Sequence, residues 1–179
     1  MPTARDRLLS AAARLFYDRG IAATGIDAVI AEAGVAKMSL YNTFGSKAAL
    51  VEAYLDARHR EWLGLYAARV AGLPADDHRA RALAGFDAYA DHAEAAYPHG
   101  FRGCGLLNAA AELAADDPGR AAVRRHKEEV EAILAEHAGA LAEHLSFLLE
   151  GSMARAGLEG DAGRIAHART LAGQLLDRG

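Results

Sequence analysis

Eight histidines and one cysteine are the side chains with the widest chemical reach in this 179-residue sequence. Histidine is the commonest metal ligand and a ready general base near neutral pH, and a helical di-iron centre would need Glu-x-x-His pairs on facing helices. The residues three before each histidine are Asp56, Ala75, Tyr89, Ala96, Val123, Leu134, Leu141 and Arg164, so Asp56–His59 alone approaches that spacing. His137 and His144 can share a helical face, but each follows a glutamate (Glu136, Glu143), and a solvated polar face accounts for them. His126 with Glu129 reads as a surface pair. Cys104 has no second cysteine for a disulfide, zinc site or thiol exchange, and reads as an inert core thiol or part of a pocket wall. Gly100, Gly103 and Gly105 do not form Gly-x-Gly-x-x-Gly, and Gly45-Ser46-Lys47 has the phosphate-loop letters in the wrong order. No nucleophile–base arrangement emerges. The expectation is no catalytic residue, no metal and no cofactor.

The elements that must position any site are helices. Alanine occurs 44 times against 11 valines and isoleucines together, which favours helix over strand. With 52% hydrophobic and 25% charged residues the composition is that of a globular protein with a real core. No apolar run approaches the ~18 residues of a membrane helix, and the first residues lack the apolar stretch of a secretory signal. A soluble, cytoplasmic protein is expected. The net charge of −4 alone argues against nucleic acid. Its distribution does not: residues 1–50 hold six Lys/Arg and four Asp/Glu, a local excess of +2.

Apolar periodicity predicts a helix from Thr3 to about Arg19, with Thr3 and Asp6 as a capping box and Gly20 ending it. A short helix follows from Ile26 to Ala33, stopped by Gly34, and another from about Ala36 to Thr43. Ser46 caps a long helix from Lys47 to about Ala71, roughly 37 Å at the helical rise. Further helices are expected at about 79–97, 102–115, 118–138, 140–157 and 161–177, with breaks at Pro98–Gly100, Asp116-Asp117-Pro118, Gly139 and Gly157–Gly160.

Two short helices around a glycine turn, behind a first helix, are a helix-turn-helix candidate. A helix that enters the major groove needs hydrogen-bonding and small side chains on its outer face. Leu40 and Phe44 point inward in the third segment, leaving Lys37, Met38, Ser39, Tyr41, Asn42 and Thr43 outside. Lys47 begins the next helix, placed for a phosphate beside that helix's free N–H groups.

The run AARLFYDRGIAATGIDAVIAEAGVAKMSLYNTFGSKAALVEAYL resembles the N-terminal domain of the TetR family of bacterial transcriptional repressors. The resemblance rests on Ala12, Leu15-Phe16 and Gly20; on Thr24; on Ala33-Gly34-Val35 in the turn; and on Leu40-Tyr41, Phe44, Ser46-Lys47 and Leu50. Gly25 stands where the family prefers a hydroxyl N-cap, Ala36 where a small hydroxyl residue is common, and Asn42-Thr43 where the second residue is usually histidine. The resemblance implies an all-α fold: a three-helix DNA-binding domain over residues 3–63, then a helical bundle over 64–179 for ligand binding and dimerisation.

It also implies the partners: double-stranded operator DNA, a small-molecule effector and a second copy of the chain. With no metal-ligand cluster or phosphate loop the effector is expected to be hydrophobic or aromatic, and with no long apolar run no membrane is expected. Thr24 and Ser39 would add phosphate contacts, and Asn42 offers the amide that matches adenine. The homodimer would form through Leu141, Leu145, Leu148 and Leu149 with Ile165, Ala168, Leu171, Ala172 and Leu175, unless those stripes only close the protomer's core. The candidate effector lining is Trp62, Tyr66, Phe86, Tyr89, His92, Phe101, Cys104, Leu107 and Asn108, a set a filled core would also show. The alternative is a helical small-molecule-binding or enzymatic bundle whose N-terminal helices do not bind DNA.

Overall fold

The computed structural model describes residues 1–94 and 100–178. In chain order the helices are α1 (Ala4–Arg19), α2 (Ile26–Ala33), α3 (Lys37–Phe44), α4 (Lys47–Val70), α5 (His78–Glu94), α6 (Gly105–Glu112), α7 (Pro118–Ala138), α8 (Ala142–Glu159) and α9 (Gly163–Leu176). A single 3₁₀ turn, Gly139–Leu141, joins α7 to α8. No strand occurs among the described residues. The expected break at Pro98 and the end of the expected 79–97 helix lie outside the described residues.

Two compact units organise the chain, the first Met1–His59 with Gly105–Val123, the second Arg60–Cys104 with Arg124–Gly179. The first change of unit along the chain falls within α4, between His59 and Arg60. This clustering differs from the expected spans 3–63 and 64–179 in residues 105–123, which fall in the first unit. The cause is local. The Glu112 carboxylate at the end of α6 accepts the backbone N–H groups of Ile21 (3.1 Å) and Ala22 (2.7 Å), in the loop after α1. At the other end of α6, a Cβ on Gly105 would stand 3.0 Å from the Tyr54 hydroxyl and 3.3 Å from the Tyr17 ring.

In the first unit, α1 starts with the expected capping box: Thr3 accepts the Asp6 N–H while Asp6 accepts the Thr3 N–H. Leu8, Ala11, Ala12, Leu15, Phe16 and Tyr17 are its buried face. Phe16 meets Tyr54 of α4 edge-on, ring centroids 5.5 Å apart. Leu50, Val51 and Leu55 complete the core with Val29 of α2 and Leu40 of α3. Each such side chain contributes roughly 1.5–3 kcal/mol by leaving water.

In the second unit, α5 is buried along most of its length, with Leu83, Phe86 and Tyr89 among α8 and α9 residues Leu145, Leu149, Met153 and Ile165. Ion pairs fasten its flanks, Arg79–Asp177 (2.6 Å) and Arg169–Asp87 (2.7 Å) to α9 and Arg69–Asp91 to α4. Helix α8 passes closely over the segment before α6. A Cβ on Gly157 would fall 2.5 Å from the backbone nitrogen of Gly103, itself at φ +84°. Both positions need glycine.

Candidate nucleic-acid interface

Helices α2 and α3 are joined by a turn whose geometry depends on Gly34, in the left-handed region at φ 61°, ψ 41°. Neither helix has a side-chain N-cap, since Gly25 and Ala36 occupy those positions. What sets α3 in place is Leu40, fully buried on its inner side. Half-buried Phe44 does less than its expected core role, its ring lying 5.4 Å from the Arg5 guanidinium.

The opposite face is open. Lys37, Met38, Tyr41, Asn42 and Thr43 are exposed and Ser39 is half-buried. Lys37 bridges to Asp27 at 2.9 Å, and that hydrogen bond raises its pKa. Both partners are solvated, so a phosphate can compete for the ammonium at little expense. The Thr43 hydroxyl donates back to the Ser39 carbonyl at 2.6 Å. Ser46 caps α4 as its sequence position suggests, accepting the Ala49 N–H at 3.1 Å. Lys47 is half-buried and donates to the Ile21 carbonyl at 2.6 Å. Its charge is therefore already anchored to the loop that Glu112 holds from the other side.

Thr24 departs from the expectation. It is 1% exposed, and its hydroxyl donates to the carbonyls of Gly20 (2.7 Å) and Leu15 (3.3 Å). It staples the end of α1 and faces no phosphate. Glu112, which orders this loop, was not singled out from sequence: a lone acidic residue at a helix end looks like any solvated charge.

In the second unit, seven of the nine candidate effector residues are buried: Trp62, Tyr66, Phe86, Tyr89, His92, Phe101 and Cys104. Trp62 stacks on Tyr66 at 5.5 Å and tilts against Tyr89 at 5.3 Å. The Tyr89 hydroxyl accepts from Lys127 at 3.2 Å, and the same ammonium reaches Cys104 Sγ (3.4 Å) and Glu150 (2.7 Å). Burial raises the Tyr89 pKa. Burial works against the Lys127 charge, yet Cys104, Tyr89 and Glu150 hold its pKa well above the ordinary lysine value. Lys127 and Glu150 were not foreseen, lying on separate helices whose charged residues read as solvated. Leu107, 39% exposed, and half-buried Asn108 belong to the first unit.

The expected dimer residues also divide. Leu145, Leu149, Ile165, Ala168 and Ala172 are buried within the protomer, because α8 and α9 pack on each other and on α5. Leu141, Leu148, Leu171 and Leu175 remain half-buried. Phe147, 67% exposed and absent from the expected stripe, joins Leu148 and Leu171 in lining a shallow cleft of about 220 Å³ on the α8–α9 surface.

A family model described as bacterial regulatory proteins, tetR family, matches residues 8–54. The fold is similar to that of SCO4454, a TetR-family transcriptional regulator from Streptomyces coelicolor, at a TM-score of 0.83 and 32% identity, covering 98% of this chain and 94% of that one. The HTH-type transcriptional regulator TtgR from Pseudomonas putida is 42% identical over 55 residues, 31% of this chain but 26% of that protein. The HTH-type transcriptional activator FasR from Mycolicibacterium smegmatis is 40% identical over 90 residues, 50% of this chain and 40% of that protein. The chain thus matches well under half the length of these two curated relatives, and the SCO4454 structure over nearly all of its own.

Proposed function

Because the chain belongs to the tetR family of bacterial regulatory proteins, we propose that it is a ligand-responsive repressor that binds a palindromic operator as a homodimer and is released by a small hydrophobic or aromatic effector. The observation that carries the DNA half is the open face of α3, with Lys37, Tyr41, Asn42 and Thr43 displayed on a helix fixed by Leu40. Asn42 reads a base edge; Lys37, Ser39, Tyr41 and Lys47 hold backbone phosphates. Two-fold protein symmetry imposes two-fold operator symmetry, with half-sites about one helical turn apart.

Half-exposed Leu148 and Leu171 with exposed Phe147 are the apolar surface for the partner copy, through an isologous contact of α8 and α9. The aromatic interior of the second unit, Trp62, Tyr66, Phe86 and Tyr89, supports the effector reading. Helix α4 supplies Lys47 to the DNA face and Trp62 and Tyr66 to that interior, so it is the element an effector must bias. Release requires the effector to bind the DNA-incompetent state more tightly, and it cannot exceed that difference. No helix among the described residues is long and apolar enough to cross a membrane, in keeping with action on DNA in the cytoplasm.

A gel shift with the DNA flanking its own gene, repeated across salt concentrations, tests the reading. Binding should weaken steeply as salt rises, because each neutralised phosphate releases counterions. Binding that is absent at low salt, or light scattering that gives an 18.9 kDa monomer, defeats it.

A further inference from the structure

Among the described residues of the second unit, three buried donors have nothing to donate to. Trp62 and Tyr66 are 4% and 8% exposed, and the Trp62 indole nitrogen, the Tyr66 hydroxyl and the Arg81 Nε are all without a hydrogen-bond partner. Buried tryptophan and tyrosine polar ends normally find one. An indole N–H and a guanidinium N–H can only donate, so another donor cannot satisfy them. The three belong together. Trp62 and Tyr66 lie one helical turn apart on α4 with rings stacked at 12°, and the Arg81 charge on α5 acts on the Tyr66 hydroxyl.

We infer that the effector is an anion, a carboxylate on an aromatic or apolar body, bound through the Trp62 N–H, the Tyr66 O–H and the Arg81 guanidinium. This rests on the effector reading above and supplies its missing chemistry. The stacked rings and Tyr89 provide the apolar wall. Arg81 provides the charge that favours a carboxylate over a neutral carbonyl and repels an ammonium. Arg81 as a whole is half-buried, so its guanidinium is not sealed from solvent. The other ionisable groups acting nearby are Glu136, which is exposed and opposes an anion, and the His78–His137 pair, whose Nδ1 atoms are 3.2 Å apart. One exposed carboxylate does not outweigh a guanidinium whose Nε is buried and whose charge reaches the orphaned hydroxyl.

The chain carries its own reporter, because Trp62 is its only tryptophan. The full-length protein is titrated with phenylacetate, phenethylamine and phenethyl alcohol, which share one body and differ in the head group, while Trp62 fluorescence is followed. Phenylacetate should give a saturable change by millimolar concentration and bind at least about tenfold tighter than the amine. Tyr66→Phe, which removes only the oxygen, and Arg81→Gln should each weaken phenylacetate about tenfold while circular dichroism stays helical. Tighter binding of the amine, equal binding of all three, or no saturable change with any overturns the inference. A thermal-shift hit that releases DNA but leaves Trp62 fluorescence unchanged sinks this assignment and spares the effector reading. A carboxylate that binds at Trp62 and leaves DNA affinity unchanged does the reverse.

Discussion

Helix α3 in the first unit carries Lys37, Tyr41, Asn42 and Thr43 on a face open to solvent, and its one ion pair, Lys37–Asp27, is solvated on both sides. In the second unit part-buried Lys127 and Glu150 meet the buried Tyr89 and Cys104, beside the stacked Trp62 and Tyr66. The same kinds of side chain therefore do different work. Exposed charges add little to stability and remain free to trade water for phosphate, so their energy is spent on a partner. Enclosed charges are coupled to packing, so anything that rearranges them is felt by the fold. A regulator that reads DNA on one surface and, as proposed, answers a ligand in its interior has reason to separate the two.

The largest effect expected from that contrast is at Glu150. Glu150→Ala leaves the Lys127 ammonium enclosed with Tyr89 and Cys104 and without its carboxylate, and should lower stability in urea unfolding by about 2–3 kcal/mol. A loss no larger than that of a surface pair would break the comparison. Next is the reading face. Asn42→Ala should cost about 1–3 kcal/mol at the cognate operator and relax base preference there, while leaving urea unfolding unchanged. Lys47→Ala should weaken binding to all duplexes alike and reduce the salt slope by about one. A third effect sets the surface scale: Glu32→Ala, which removes the exposed Arg14–Glu32 bridge, should change stability by less than about 1 kcal/mol.

How much of this was legible beforehand follows from what periodicity encodes. The capping box of Thr3 and Asp6, the turn at Gly34 and the outer face of α3 came from local spacing, and the structure has each where the spacing put it. A 3.6-residue stripe tells which face of a helix is buried but not what buries it. Leu145, Leu149 and Ile165 therefore looked equally fit for a partner copy, whereas α5, α8 and α9 use them on one another. Phe147 sat off the stripe and was missed although it is exposed. Thr24 has the spacing of a phosphate contact, while its hydroxyl is consumed by two carbonyls of its own unit. Lys127 and Glu150 are 23 residues apart and pair only through tertiary packing, which no local pattern announces.

The smallest expected effect, a dependence on pH, separates the units most finely. The His137 pKa is lowered, first by burial and then by the nearby Arg81 and His78 charges, with Glu136 opposing. The folded state therefore holds this ring neutral at a pH where the unfolded chain, with its histidine near pKa 6.5, already binds a proton. Stability from this source is fully present above about pH 6.5 and drains away as pH falls through the lower folded value, because the unfolded state then binds more protons. The shifts in the first unit belong to Asp6, lowered by its hydrogen bonds with Thr3, and to Lys37, raised by Asp27, and both titrate far from that window. Acidification from about pH 7.5 to 5.5 should thus lower the urea midpoint followed at Trp62, the tryptophan of the second unit, and His137→Gln should flatten that fall. If the variant keeps the parent's slope, half-buried His137 is not what makes the second unit sensitive to protons, and the contrast between the units narrows to packing alone.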